Sequence, residues 1–263
     1  MRPVNLLLPF TPVRARWLQA LVAVQVVAAL ALWSLSGCRT LPTPVEIGAA
    51  WLDLVRHQDL LAELWTSLKV SLLALGLSTV AAVALAALAT APLFMPLARL
   101  AAALRFLGFA GLTYVFMLVS GDAITLRVAI LAFGMFVFMV TGLLANLAAL
   151  PRDRVDHCRT LGMAHWRITG ELVVLGQADV ILDLVRQNAA IGWTLLTLVE
   201  GLTRSAGGIG ALLLNQNRYF LLAGVFAIQA TILAVGLAQD ALLSQLKELA
   251  CPWSTLDKES RTT

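Results

Sequence analysis

Residues 123–150 read AITLRVAILAFGMFVFMVTGLLANLAAL and stop at Pro151. A run of this length is too long for a strand and long enough to cross a bilayer, which takes roughly 20 predominantly apolar residues in helical form. The rest of the chain has the same character. Of its 263 residues 60% are hydrophobic and 13% charged, with a mean hydropathy of +0.86. A water-covered domain carries about 25% charged residues, so much of this surface is expected to face lipid. The fold class expected is all-α, a polytopic membrane protein of about six transmembrane helices.

Working outward, the other expected spans are Trp17–Ser36, Leu68–Thr90, Leu100–Val119, a charge-interrupted run Leu172–Leu198, and Phe220–Leu243. The prolines of Leu41-Pro42-Thr43-Pro44 forbid helix through that segment. Val45–Leu64 mixes Trp51, Leu52, Val55 and Leu60 with Glu46, Asp53, Arg56 and Asp59, the pattern of a helix lying in the interface. The organisation expected is therefore an N-terminal segment and first span over 1–40, an amphipathic segment over 41–64, a five-helix core over 65–246 and a polar tail over 247–263. Leu35-Ser36-Gly37-Cys38 also has the form of a lipoprotein cleavage site, which would lipidate Cys38; the spans that follow argue against it.

Orientation follows from Lys and Arg. With the N-terminus in the cytoplasm, twelve of the 19 fall inside: Arg2, Arg14, Arg16, Arg99, Arg105, Arg152, Arg154, Arg159, Arg167, Lys247, Lys258 and Arg261. Arg39, Arg56, Lys69, Arg127, Arg204 and Arg218 fall outside, and Arg186 lies within the membrane. The bias places both termini in the cytoplasm. The net charge of +4 is thus a membrane signal, and no nucleic-acid partner is expected.

The cytoplasmic stretch 151–171 contains Asp156-His157-Cys158-Arg159, then Leu161-Gly162-Met163 and Trp166. It resembles the coupling loop of permeases in binding-protein-dependent ABC importers. Asp156-His157-Cys158 occupies the place of that family's Glu-Ala-Ala triplet, and Gly162 keeps the spacing of its glycine. Farther on, Arg186, Trp193, Glu200 and Gly208-Ile209-Gly210 keep the spacing of a pattern in the nitrate/sulfonate/taurine branch. Leu41-Pro42-Thr43-Pro44 and Trp65-Thr66-Ser67-Leu68 are similar to that branch's entry segment. Leu175-Gly176 stands where the family has Leu-Pro.

The resemblance implies a type I ABC importer permease fold in a bacterial inner membrane, carrying a small anion. It also implies partners: cytoplasmic ABC ATPase subunits, a second permease subunit and an external substrate-binding protein. Coupling residues would be Asp156, His157, Cys158, Arg159, Leu161, Gly162, Met163 and Trp166. A short helix docking on an ATPase needs a basic exterior, a glycine for close turning and apolar anchors, which Leu161, Met163 and Trp166 would supply.

Charges at bilayer depth are disfavoured by about 2.5–3.5 kcal/mol each on insertion scales and usually mark function. Asp179, Asp183, Arg186, Ala190, Trp193, Thr197 and Glu200 step by four and three and share one helix face. That face, with Asn188, is the candidate translocation path, and Arg186 the candidate anion site. Two other arrangements fit the same residues: an Asp183–Arg186 ion pair internal to the bundle, or a helix broken near Gly176 that leaves the acids near the cytoplasmic surface. Gly207-Gly208-Ile209-Gly210 reads as a flexible turn, since no strand precedes it and no Lys-Ser/Thr follows. Cys38, Cys158 and Cys251 read as unpaired thiols, and His57, His157 and His165 are scattered. Neither set predicts a metal, a cofactor or a catalytic group. An ion-coupled secondary transporter, or a permease-like scaffold subunit, also accommodates the intramembrane charges.

Overall fold

The computed structural model describes residues 15–35, 41–203 and 207–252, and among them every regular element is helical. In chain order these are α1 (Ala15–Leu35), α2 (Pro44–His57), α3 (Leu60–Leu88), α4 (Met95–Ala103), α5 (Phe109–Val119) and α6 (Ala123–Ala148). They are followed by α7 (Arg152–Thr160), α8 (His165–Thr169), α9 (Ala178–Leu202), α10 (Ile209–Arg218) and α11 (Leu222–Ala250). Cys38, Arg2, Arg14, Arg39, Arg204 and the tail beyond Pro252 lie outside the described residues.

Among the described residues three helices are long and apolar enough to cross a membrane: α3, α6 and α11. A fourth crossing exists if α4 and α5 count as one. Two of the expected spans are not single straight helices. Leu100–Val119 is not one helix, because α4 ends in a 3-10 turn at Leu104–Phe106 and the chain bends by 119° before α5. The run Leu172–Leu198 is broken as well. A π-helical turn at Gly170–Leu175 ends at Gly176, whose N–H donates to the Glu171 carbonyl (2.7 Å), and α9 begins only at Ala178. A Cβ on Gly176 would sit 2.9 Å from that carbonyl, so the tight turn needs glycine.

Helix ends follow local chemistry. Pro44 occupies the first turn of α2, where it loses no hydrogen bond. Thr43 caps it, accepting from the Glu46 amide (3.3 Å), while the Glu46 carboxylate accepts from the Thr43 amide (2.9 Å). The amphipathic segment stops at His57. Asp59 takes a left-handed φ of 50°, and Leu60–Leu64 open α3. Asp122 caps α6, and donation from the Thr125 hydroxyl and amide holds its carboxyl below the usual carboxylate range.

The centre of the bundle is α3, α6 and α9. On α3 the buried residues Ser67, Ser71, Ala74, Ser78, Ala82 and Ala86 recur at three- and four-residue steps. Such small side chains let neighbouring backbones approach closely, the usual device where lipid supplies no hydrophobic drive. Between α6 and α9 the fit is reciprocal. Leu184 of α9 lies over Gly142, and Met135 of α6 lies over Gly192, where an added Cβ would stand 2.1 Å from the Met135 Cε. On the flank, α2 crosses α11, with the Trp51 indole donating to Thr231 Oγ1 (3.1 Å).

Because Met135 is wholly buried, its end has little room to retreat. Gly192→Ala is expected to lose about 1–3 kcal/mol by overpacking, and Gly192→Ile to abolish the folded state. Met135→Val should restore part of the Gly192→Ala loss. Thermal unfolding in detergent checks all three, and an unchanged transition for Gly192→Ile contradicts the packing.

Candidate functional site

The starts of α3 and α6 and the end of α9 meet at one end of the bundle, where they enclose four polar groups. Glu200 of α9 and Ser67 of α3 are wholly buried, and Arg127 of α6 is 1% exposed. Glu63 lies one turn before Ser67 on the same face of α3. Buried charge of this kind persists only when hydrogen-bonded, and each group here is. The Ser67 hydroxyl donates to Glu200 Oε1 (2.6 Å) and accepts from the Ile209 amide (2.9 Å). Glu200 Oε2 accepts from the Gly210 amide (2.8 Å), and Glu63 accepts from the Gly208 amide. The first amides of α10 are thus taken up by two carboxylates and a hydroxyl, aligned with the positive end of the helix.

Arg127 completes the group. Its Nε donates to Thr203 Oγ1 (2.8 Å), and its Nη2 donates to the carbonyls of Thr203 (2.9 Å) and Gly207 (2.7 Å). The glycine stretch read from sequence as a flexible turn is hydrogen-bonded at Gly207, Gly208 and Gly210. Gly207 and Gly208 have φ of 72° and 99°, and a Cβ on Gly208 would stand 2.4 Å from the Glu200 carboxyl carbon. Outside this knot, Glu63, Gln58, Asn215 and Arg218 line a cavity of about 260 Å3.

Farther along α9 the expected path residues engage their neighbours. Arg186 does not pair with Asp183. It makes a bidentate pair with Asp240 of α11 (Nε 2.9 Å, Nη2 2.7 Å), while Asp183 pairs with Lys247 (2.5 Å). The Trp193 indole donates to Gln239 Oε1 (2.7 Å). The Thr197 hydroxyl donates within its own helix, and its backbone packs on Gly210. Asn188 is buried, its amide donating to the Leu184 carbonyl (2.9 Å). One stripe of α9 therefore serves α11 at one end and α10 at the other. Three buried polar atoms have no protein partner among the described residues: Ser71 Oγ, Asn188 Oδ1 and Gln239 Nε2.

At the opposite end α7 and α8 form a helical hairpin. The Gly162 amide donates to the Arg159 carbonyl (2.9 Å) and the Met163 amide to the Cys158 carbonyl (3.3 Å), with Gly162 at φ 74°. That bond pair is a Schellman motif, which requires a left-handed residue where glycine stands. Cys158 turns inward, Met163 is half-buried, and Asp156, His157 and Arg159 face out, Asp156 pairing with Arg159 (3.1 Å). Leu161 and Trp166 are 66% and 61% exposed beside these charges.

Glu63, Ser67, Arg127 and Thr203 were not among the candidates drawn from sequence. A signal existed in Arg127, a lone charge inside the longest apolar run, and in the four-residue spacing of Glu63 and Ser67. A scan against protein-family models and a search of curated proteins both return no match to this chain.

Removing the Glu200 carboxylate strands the Ser67 hydroxyl and the Gly210 amide in a buried site. Glu200→Ala is expected to lower stability by about 3–5 kcal/mol, the usual penalty for breaking a buried charge network. Glu200→Gln, which keeps one acceptor, should lose less, and Gly208→Ala should resemble Glu200→Ala. Thermal unfolding in detergent reads the order, and a Glu200→Ala protein as stable as wild type rules out the knot as a support.

Proposed function

We propose that this chain is the transmembrane permease subunit of an ATP-driven ABC importer, with the α7–α8 hairpin docking on a separate cytoplasmic ATPase. The observation that carries this reading is the hairpin's shape. A glycine-closed turn holds two large apolar side chains, Leu161 and Trp166, out among basic residues, at the end of an otherwise apolar bundle. Lipid does not account for them there, since the same surface carries Arg154, Asp156, His157 and Arg159. A protein groove does: exposed tryptophan and leucine ringed by charge is the composition of an interface anchor.

In this reading two such subunits, homo- or heterodimeric, assemble with two ATPases and an external binding protein, in a bacterial inner membrane with both termini cytoplasmic. Six crossings complete the count, with α1, α9 and the bent α4–α5 pair joining the three helices of sufficient length. The path runs along the α3–α9–α11 seam, and support for it comes from the unpartnered Ser71, Asn188 and Gln239 atoms. Buried polar atoms without protein partners are the places where water or substrate completes the hydrogen bonding. Asp240 already occupies the Nε–Nη2 edge of the Arg186 guanidinium, so the small-anion substrate class rests on the family resemblance alone. A scaffold subunit that docks without transporting is favoured by that same ion pair.

Affinity capture of the full chain in detergent, followed by an ATPase assay and identification of what co-purifies, tests the proposal. An ABC-type ATPase is expected with wild type. Its recovery should fall by about tenfold or more in Leu161→Asp and Trp166→Ala, a loss of at least about 1.4 kcal/mol. Gly162→Arg should act likewise through the turn, and Gly162→Asn, which tolerates the left-handed region, should be mild. Absence of any ATPase with intact protein defeats the importer reading, and an ATPase that co-purifies without substrate-dependent turnover points to the scaffold.

A further inference from the structure

The inner side of the hairpin, away from Leu161, encloses a separate space. Between α7–α8 and the ends of α3, α4 and α6 lies a cavity of about 720 Å3. Its walls divide by chemistry. Met95, Leu147 and Leu172 form an apolar side toward the bundle, and Arg152, Arg159 and His165 lie on the hairpin side. No carboxylate appears among the described lining residues, although Asp156 answers Arg159 from the outer face. A second space of about 630 Å3 adjoins it through Thr90, Pro92 and Met95 and adds Arg99 of α4. The floor is fixed by the Thr90 and Thr169 hydroxyls, 3.1 Å apart, which tie the end of α3 to α8.

We infer that this cavity holds an anionic phospholipid, its phosphate between Arg152 and Arg99 and its acyl chains along the apolar wall. Position and composition both argue for this occupant. The cavity sits where spanning helices end, at the level where a bilayer presents its headgroups. A free phosphate would find cations there but no use for the apolar wall, and a neutral lipid would leave the cations unanswered. Basic pockets between helix ends are the recognised form of anionic-lipid sites, with each Lys or Arg near the surface adding about fivefold in affinity. The inference needs only that this end of the bundle meets a membrane surface, although Trp166, an anchor in the proposed docking, also lines the cavity.

The full chain in detergent is titrated with phosphatidylglycerol and with phosphatidylcholine of the same acyl chains, and bound lipid is read by native mass spectrometry. Phosphatidylglycerol is expected to bind in preference. In Arg99→Gln/Arg152→Gln its affinity should fall by about fivefold for each arginine removed, while Arg99→Lys/Arg152→Lys retains the preference. Arg218→Gln, at the opposite end, should leave it unchanged. If the double glutamine protein does not fold, Arg152→Gln alone gives the same reading at about fivefold. Equal binding of the two lipids, an undiminished affinity in the glutamine variants, or displacement of phosphatidylglycerol by inorganic phosphate would each overturn the inference.

Discussion

The burial of Glu200 against the first amides of α10 is the constraint around which the bundle is arranged. A carboxylate inside an apolar bundle is heavily penalised unless donors surround it. Here the donors are the Ser67 hydroxyl and the Gly210 amide, with Ile209 feeding Ser67 and Arg127 bracing the turn through Gly207. Satisfying one buried acid therefore fixes four elements at once. It sets the height of α3 against α9, forces the chain after α9 to turn back, aims α10 inward and holds the start of α6 beside them. Gly207 and Gly208 are part of the same constraint, because the turn needs two left-handed residues and no side chain fits against the carboxylates.

The two ends of the molecule consequently differ. One is closed by a hydrogen-bonded knot in which backbone amides meet acids. The other is looser and more polar, with half-exposed ion pairs between α9 and α11 and a hairpin that points apolar side chains outward. Half-exposed pairs such as Arg186–Asp240 contribute little, commonly below about 1 kcal/mol. At the hairpin end α9 is held instead by apolar packing, with Leu184 over Gly142.

Much of the fold was legible in the sequence because apolar runs and prolines act locally. α3, α6 and α11 lie where long apolar runs end at Pro, Gly or charge, and α2 starts where Thr43-Pro44 dictates. The helix break near Gly176 was one of the alternatives the residues allowed, and the π turn realises it. The bend before α5 was not legible, since Leu100–Val119 is apolar but for Arg105 and its glycines, Gly108 and Gly111, do not by themselves end a span. Periodicity placed Asp183, Arg186, Trp193 and Glu200 on one face, but it is blind to partners more than a turn away. The local rule offered Asp183 to Arg186. Asp240 prevailed because it meets the Nε–Nη2 edge of the guanidinium with both carboxylate oxygens from the facing helix. The knot escaped for the same reason: Ser67 and Glu200 are 133 residues apart, and only the antiparallel packing of α3 on α9 joins them.

The central claim is that the knot and the hairpin lie on opposite sides of a membrane. It is tested most directly by placing single cysteines at Leu161, on the hairpin, and at Asn215, beside the knot, in a background without the native cysteines. Each is then labelled with a membrane-impermeant maleimide in right-side-out and in inverted vesicles. The account predicts that Leu161→Cys is labelled only in inverted vesicles, from the cytoplasmic face, and Asn215→Cys only in right-side-out vesicles. Labelling of both from the same side would contradict it.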